Sequence, residues 1–209
     1  MIQGEVAMEF DPSTVRPSVF YHHMTRSIVP RPIAWVSTCS QQGVPNVAPF
    51  SYFCGVGSRP PTVLFCPANA RDGGPKDTLR NIQQTGDFVV NIVPSSAAEP
   101  MNQSAASVGP KVSEFELCGL TQRESVRVAA PGVAESPIQF ECSLIQVIEL
   151  GDGPGGANIV VGRVEYMRID DSVLDESGEI QPDLLDAVGR MGGQEYCRTT
   201  ERFELDRPG

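Results

Sequence analysis

The sequence predicts a mainly β protein, a closed or partly closed antiparallel β-barrel with two or three added helices. Short runs rich in β-branched and aromatic residues recur at close spacing, and 20 glycines and 18 prolines separate them. The regular alternation of strand and helix that is typical of a doubly wound sheet is missing. Because no internal repeat or linker divides the 209 residues, we expect one domain spanning 1–209.

The first predicted element is a β-hairpin. The run IAWVSTC is followed by QQG and then by VPNVAPF, so strands over 31–39 and 44–50 would pair through a turn at Gly43.

Two further strands and two helices are predicted next. The runs PPTVLFCP (60–67) and DFVVNIVP (87–94) are short, β-branched and bounded by proline or glycine. Between them KDTLRNIQQTG (76–86) predicts a helix capped by Asp77 or Thr78 and ended by Gly86. A second helix would start in SSAAEPMNQSA, where Ser96 and Glu99 have the spacing of a capping box.

The last predicted strands form a long pair. PIQFECSLIQVIEL (137–150) alternates until Leu144 and Ile145 break the phase, which predicts a bulge or bend. After the loop GDGPGGAN, IVVGRVEYMRI (159–169) is the returning strand. The tail PDLLDAVGRMGGQEY predicts a short helix and then a glycine-rich turn.

Composition excludes several classes of function. The formal net charge of −10 argues against nucleic acid or an anionic membrane as the main partner. No apolar run is long enough to span a bilayer, and residues 1–17 lack the pattern of a secretory signal, so we expect a cytoplasmic protein. The six cysteines stand far apart and the two histidines are adjacent, which predicts reduced thiols and no metal site.

A helix start with a lysine is the first candidate binding feature. The chain has fourteen arginines but only two lysines, and Lys76 precedes the predicted helix. Free backbone N–H groups, a hydroxyl at Thr78 and this charge suit a phosphate monoester. A capped surface helix with a solvated lysine is the alternative.

The hairpin is the second candidate. Ser37 and Thr38 would lie near the peptide groups around Ala48 and Ser51, and Pro49 keeps the backbone extended. Together with the ring of Trp35 or Phe50, this arrangement suits a flat heterocycle with polar edges. The alternative is that the hydroxyl groups merely satisfy backbone groups of the turn.

These segments together resemble the flavin reductase-like family, the flavoredoxin-type proteins of the FMN-binding split barrel. The matching segments, in order, are RPIAWVST, GVPNVAPFSYF, PPTVLF, KDTLRNI, FVVNIV and GRMGGQEY. The resemblance implies a Greek-key antiparallel barrel with its core at about 27–170 and a C-terminal extension over 171–209.

The resemblance also implies which residues bind the cofactor. The isoalloxazine ring and ribityl chain would be lined by Trp35, Val36, Ser37 and Thr38. Polar contacts and backbone amides would come from Asn46, Ala48, Pro49, Phe50 and Ser51. The phosphate would be bound by Lys76, Asp77 and Thr78. Arg31 and Tyr196 are further candidates.

The implied function is an FMN-binding oxidoreductase, an NAD(P)H-dependent flavin reductase or a flavoredoxin-like electron carrier. NAD(P)H would be the co-substrate, the chain would form a homodimer, and an electron acceptor protein or a monooxygenase component would be the partner. The sequence leaves two alternatives open. One is a non-catalytic flavin- or haem-binding module, and the other is a cysteine hydrolase using Cys54 or Cys66 with His22 or His23.

Overall fold

The computed structural model describes residues 7–109 and 111–209. The segment expected to lack a secretory signal therefore lies partly outside the described residues. The strands, in chain order, are Ala34–Cys39 (β1), Pro45–Phe50 (β2), Phe53–Ser58 (β3), Pro61–Phe65 (β4), Asp87–Asn91 (β5), Gln122–Arg123 (β6), Gly132–Val133 (β7), Ile138–Glu149 (β8), Asn158–Ile169 (β9), Val188–Arg190 (β10) and Tyr196–Arg198 (β11). The α-helices are Pro17–Ser27 (α1), Asp77–Thr85 (α2), Ala98–Gln103 (α3), Glu114–Leu117 (α4) and Pro182–Leu185 (α5).

One antiparallel sheet of seven strands dominates the fold, in the order β2-β1-β5-β8-β9-β4-β3. Its two edge strands are consecutive in the chain: β2 ends at Phe50 and β3 begins at Phe53. Two residues can join opposite edges only if the sheet curls until those edges meet. The predicted mainly β, split-barrel architecture is therefore confirmed, and the split lies at Ser51 and Tyr52.

The predicted hairpin is confirmed. β1 pairs with β2 in register from Ala34 opposite Phe50 to Cys39 opposite Pro45. Gly43 has φ 82° in the connecting turn, a conformation that favours glycine. The strands predicted over 60–67 and 87–94 are β4 and β5.

The long pair β8–β9 also follows the prediction. The register shifts between Leu144 and Gln146, where the sequence breaks phase, and a second shift lies between Glu141 and Cys142. These bulges increase the local twist that a curled sheet requires.

The helix predicted over 76–86 is confirmed as α2, and Gly86 ends it with φ 78°. The predicted caps are wrong. Lys76 is the N-cap residue of α2, and neither it nor the residue preceding α3 makes a side-chain capping bond. A 3-10 turn at Ser95–Ala97 leads into α3, so Ser96 lies inside that turn and Ala97 is the N-cap residue of α3.

Two apolar cores lie on opposite faces of β1. Ala34 and Val36 point into the barrel, where they join the buried rings of Phe65 and Phe88. Trp35 points the other way, into a cluster under α3 and α4 that includes Met101, Phe115, Val133 and Val188. The C-terminal segment thus contributes to the second core through Val188.

Several elements have no counterpart among the sequence predictions: α1, β3, α4 and the short pairs β6–β7 and β10–β11. α1 buries none of its residues. Its sequence therefore lacks the periodic apolar stripe by which a core-facing helix is predicted. β3 contains two glycines and is mostly exposed. In the described part of the chain, no helix has both the length and the apolar character needed to cross a bilayer.

Candidate functional site

The four predicted ring-lining residues of β1 have buried side chains, which corrects their expected role. Trp35, Val36, Ser37 and Thr38 are all 0% exposed. β1 is an interior strand of the sheet with a core on each side, so neither of its faces can line an open groove. These side chains pack in the two cores on either side of the strand.

Their polar groups are also already bonded. The Trp35 indole donates to the Ser104 hydroxyl at 2.9 Å. The Ser37 hydroxyl donates to the Pro131 carbonyl and accepts from Asn91. None of these bonds is to the hairpin turn. The alternative, that these hydroxyl groups satisfy backbone groups of the turn, is therefore not what the structure shows either.

Asn46 is the centre of a buried polar network between the hairpin and α2. Its side-chain oxygen accepts from the hydroxyls of Thr78 at 2.9 Å and Thr38 at 3.2 Å. Its amide nitrogen donates to the Glu114 carboxylate at 2.8 Å. Asn81 extends the network by donating to Thr38. The structure therefore brings the hairpin and the start of α2 together, as the sequence predicted.

Glu114 is the buried charge of this network. It is 4% exposed, and its carboxylate accepts from the Val47 N–H as well as from Asn46. Burial raises the pKa of Glu114, and the donors from Val47 and Asn46 lower it by less. The carboxylate fastens α4 to β2 and fixes the orientation of the Asn46 amide.

The remaining β2 residues lie on both faces of the strand. Phe50 is buried in the barrel core and Ala48 packs against it. Pro49 and Ser51 are half-buried on the opposite face, where they line a cavity. The five residues predicted around the ligand therefore do not face one groove.

The backbone of β2 offers fewer N–H donors than the sequence analysis expected. β2 is an edge strand, and the Val47 N–H points away from β1 to Glu114. The period of two places the nitrogens of Pro45 and Pro49 on that same outer side. Because proline has no N–H, this edge offers carbonyl acceptors and few donors.

The start of α2 fits an anion through its backbone and Lys76. Lys76 is exposed at the N-cap position, and no side chain caps the first N–H groups. The Asp77 carboxylate is paired with Arg80, and the Thr78 hydroxyl is 1% exposed and donates to Asn46. The side chains of Asp77 and Thr78 are therefore engaged within the chain, and an anion at this point would meet their backbone N–H groups instead.

Two cavities adjoin these residues. One of about 160 Å³ lies between the β1–β2 turn and α2, with Gln42, Asn46, Asp77 and Arg80 in its lining. The other, of about 230 Å³, is bounded by Pro49 and Ser51. Sites that enclose a ligand of cofactor size are usually about 300–1,000 Å³, so neither cavity in a single chain encloses a whole flavin nucleotide.

Several site residues were not assigned from sequence. The Tyr52 hydroxyl is buried without a hydrogen-bond partner among the described residues. Arg31, given only as a further candidate, is 4% exposed and its Nε donates to Ser51 at 3.2 Å. Arg190 lies over the ring of Tyr196, 4.4 Å from its centroid. The segments RPIAWVST, SYF and GRMGGQEY were the sequence signals for these residues.

The cysteine hydrolase hypothesis gains no support from the site. Burial raises the pKa of the Cys66 thiol, which disfavours the nucleophilic thiolate. His22 Nε2 accepts a hydrogen bond from Arg26 at 2.9 Å, and His23 stacks on Phe10. All six cysteines are free thiols.

A family model and curated relatives match most of the chain. The model described as flavin reductase like domain matches residues 24–193. An uncharacterized protein of Halalkalibacterium halodurans is 38% identical over 204 residues, covering 96% of this chain and 97% of the relative.

Solved structures match over a similar length. Nitrilotriacetate monooxygenase component B from Bacillus cereus superposes with a TM-score of 0.90 at 35% identity, covering 97% of this chain and all of that chain. The 2-nitrobenzoate 2-nitroreductase of Pseudomonas fluorescens gives a TM-score of 0.86 at 32% identity, with 96% of both chains covered. Flavoredoxin of Desulfovibrio vulgaris shares the fold at 24% identity, with a TM-score of 0.74 over 85% of this chain and 91% of that one.

Proposed function

This chain belongs to the flavin reductase-like family, and from that premise we propose that it is an FMN-binding oxidoreductase. The activity proposed is NAD(P)H-dependent flavin reduction or electron transfer of the flavoredoxin type. The observation that carries the proposal is the uncapped start of α2, where Lys76 and free backbone N–H groups lie next to the Asn46 network.

The start of α2 would hold the FMN phosphate. Among the described residues, no side chain caps the first turn of α2, and the positive end of the helix dipole adds about 0.3–1 kcal/mol for an anion. Lys76 adds a mobile positive charge at the same point. The Asp77 carboxylate does not repel the phosphate, because it is paired with Arg80.

The split of the barrel would hold the ring. The outer edge of β2 presents carbonyl acceptors, which suit the N–H group of a flavin pyrimidine ring, and Ser51 can donate from its hydroxyl. The buried Tyr52 hydroxyl lacks a partner, and a buried polar group of this kind costs about 1–3 kcal/mol when it is unsatisfied. A bound ring with polar edges is the kind of partner that would satisfy it.

When bound, FMN would accept a hydride from NAD(P)H and pass the electrons to an acceptor. The chain's own contribution is to position the ring and limit its exposure to water. Asn46 and Glu114 keep β2 and α2 at a fixed separation, so that the phosphate and ring subsites match the length of one cofactor. The proposed acceptor is a partner protein or a monooxygenase component in the cytoplasm.

A homodimer would complete the site. The two cavities are each too small for FMN. α1 carries the side chains of Tyr21 and Met24, which are 56% and 40% exposed, and Ile28, which follows the helix, is 47% exposed. Val56 on β3 is 57% exposed. A second copy covering this surface would bury apolar area and add walls to the cofactor site.

The proposal is tested with purified protein and FMN. We expect bound FMN to give a yellow protein whose visible absorption bleaches anaerobically with NADH or NADPH. FMN bound without bleaching would favour the non-catalytic flavin module, and no binding of added FMN would refute the proposal.

Lys76→Ala tests the phosphate subsite, with Lys111→Ala as the matched control at the only other lysine. If Lys76 contacts the phosphate, its loss should weaken FMN binding by about 1.5–3 kcal/mol, the range for a hydrogen bond to a charged group. Lys111→Ala should leave the affinity unchanged. Equal affinities of the two variants would place the phosphate elsewhere.

A further inference from the structure

The turn between β10 and β11 is crossed by an arginine of α1. A Cβ at Gly192 would collide with Arg26 Cγ, so the stem of Arg26 can lie across the turn only because this residue is glycine. The Nη2 atom of Arg26 lies 3.1 Å from the position that a Cβ on Gly193 would take. The Arg26 guanidinium therefore lies against Gly193, outside the lining of both cavities.

A second guanidinium meets the same glycine. Arg190 donates to the Gly193 carbonyl at 2.5 Å and lies over the ring of Tyr196, 4.4 Å from its centroid, so its orientation is fixed. Arg26 donates from Nε to His22 at 2.9 Å. Within the described residues the terminal N–H groups of Arg26 have no other hydrogen-bond partner, and they are available to a ligand.

Neither of these two charges is balanced by a carboxylate. Over residues 7–109 and 111–209, the ion pairs involve neither Arg26 nor Arg190. Glu195, the acidic residue of the turn, is exposed and forms none of those pairs either. Two guanidinium groups at one glycine repel each other, and an anion bound between them would remove that cost.

The backbone of the turn adds further donors. Met191 and Glu195 are bonded across the turn, but the N–H groups of Gly192, Gly193 and Gln194 have no acceptor in the part of the chain that the structure describes. Gly193 has φ 64°. Successive free N–H groups in a turn of this kind form a concave site for an anion, and arginine forks match the oxygens of a phosphate.

Arg31 joins this turn to the split of the barrel. It donates from Nη2 to the Met191 carbonyl at 2.9 Å and from Nε to Ser51 at 3.2 Å, so a single side chain spans the two. In a nicotinamide dinucleotide, one ribose separates the pyrophosphate from the nicotinamide, whereas the additional phosphate of NADPH lies farther away, on the adenosine. A phosphate site this close to the split therefore suits the pyrophosphate.

We propose that Arg26, Arg190 and the glycine turn bind the pyrophosphate of a nicotinamide dinucleotide. The identity of this ligand rests on the proposed function, in which NAD(P)H is the co-substrate. The site is separate from the start of α2, which would hold the FMN phosphate. Because the turn does not reach the additional phosphate of NADPH, it binds both dinucleotides alike.

The test is isothermal calorimetry of the protein with ADP-ribose, which carries the pyrophosphate without the nicotinamide. We expect ADP-ribose to bind at least tenfold more tightly than adenosine, which has no phosphate. No ADP-ribose binding up to millimolar concentration, or affinity equal to that of adenosine, would overturn the proposal. FMN binding, measured separately, reports on the proposed function, so the two can fail independently.

Two further titrations distinguish the sources of phosphate. NAD⁺ and NADP⁺ should bind with equal affinity, and tenfold tighter binding of NADP⁺ would assign the turn to the additional phosphate instead. ADP-ribose should still bind when the protein is saturated with FMN. Loss of ADP-ribose binding under that condition would assign the turn to the FMN phosphate and overturn the proposal.

Variants locate the site. Arg26→Gln and Arg190→Gln should each weaken ADP-ribose binding about tenfold, the equivalent of a lost charge-assisted bond. Gly192→Ala keeps every charge but displaces the stem of Arg26, and it should weaken binding as well. Arg163→Gln, at an exposed arginine of β9, is the control for a lost positive charge. ADP-ribose affinity that all these substitutions leave at the level of Arg163→Gln would refute the assignment.

Discussion

Asn46→Ala tests the network that joins the hairpin to α2. The substitution removes three buried side-chain hydrogen bonds, one from Asn46 to the Glu114 carboxylate and two from the hydroxyls of Thr38 and Thr78. The bond to the carboxylate is worth about 1.5–3 kcal/mol and each hydroxyl bond about 0.5–1.5 kcal/mol. Val47 still donates to Glu114 and Asn81 to Thr38, so the loss is less than the sum. We expect the free energy of unfolding to fall by about 2–4 kcal/mol.

The assay is chemical unfolding followed by circular dichroism, together with the melting temperature. For a domain of this size, each kcal/mol lowers the melting temperature by roughly 2–4 °C. Asn102→Ala is the control, because Asn102 is exposed and accepts one bond from Tyr196. If Asn46→Ala and Asn102→Ala lower stability equally, the Asn46 network does not hold the two elements together, and the reasoning fails.

Three further substitutions test other parts of the account. Glu114→Gln keeps a hydrogen-bond acceptor but removes a buried charge. Because burial raises the pKa of Glu114 in the folded protein, the wild type gains stability as the pH falls through that pKa. Chemical unfolding should therefore show the variant to be more stable than wild type at neutral pH, with the difference shrinking in acid; a constant difference would contradict this. Ser104→Ala leaves the buried Trp35 indole N–H without an acceptor and should cost about 1–3 kcal/mol in the same assay, whereas an unchanged unfolding curve would mean that the bond is not needed. Gly162→Ala places a Cβ against Phe88, with Cε1 at 2.9 Å, and should lower the melting temperature through about 1–3 kcal/mol of overpacking; a neutral effect would show that the Phe88 ring moves freely.

Local chain chemistry was enough to predict the hairpin, α2 and the long strand pair. Gly43 and Gly86 both adopt the positive φ that their positions predicted. The break of phase at Leu144 marks a true register shift. Each of these signals depends on residues within one element and its turns, which is why sequence alone carries them.

Burial of β1 could not be predicted in the same way. A strand with a core on each face has the same residue types as one with an open face, and only the strand order shows that β1 is interior. For that reason the sequence analysis interpreted the hydroxyl groups of Ser37 and Thr38 as ligand contacts. Their hydrogen-bond acceptors in the structure lie 94 and 8 residues away in the chain. α1 was missed because it buries none of its residues, so its sequence has no clear core-facing stripe.

The sequence predicted that the start of α2 lies beside the hairpin, but it did not predict the contacts between them. The proximity of Lys76 to the hairpin followed from the ordered motifs. The role of Glu114, 68 residues from Asn46 in sequence, depends on tertiary contact and has no local signal. The same holds for Arg31 and Arg190, which form no ion pair within residues 7–109 and 111–209 because of how distant segments meet.

The central claim is that FMN is bound between the split of the barrel and the start of α2. Equilibrium dialysis of the purified protein against FMN, with Lys76→Ala and Lys111→Ala in parallel, tests it most directly. We expect one FMN bound per chain, with affinity reduced by Lys76→Ala and not by Lys111→Ala. Absence of FMN binding by the wild-type protein, in the concentrated state where a dimer would form, would contradict it.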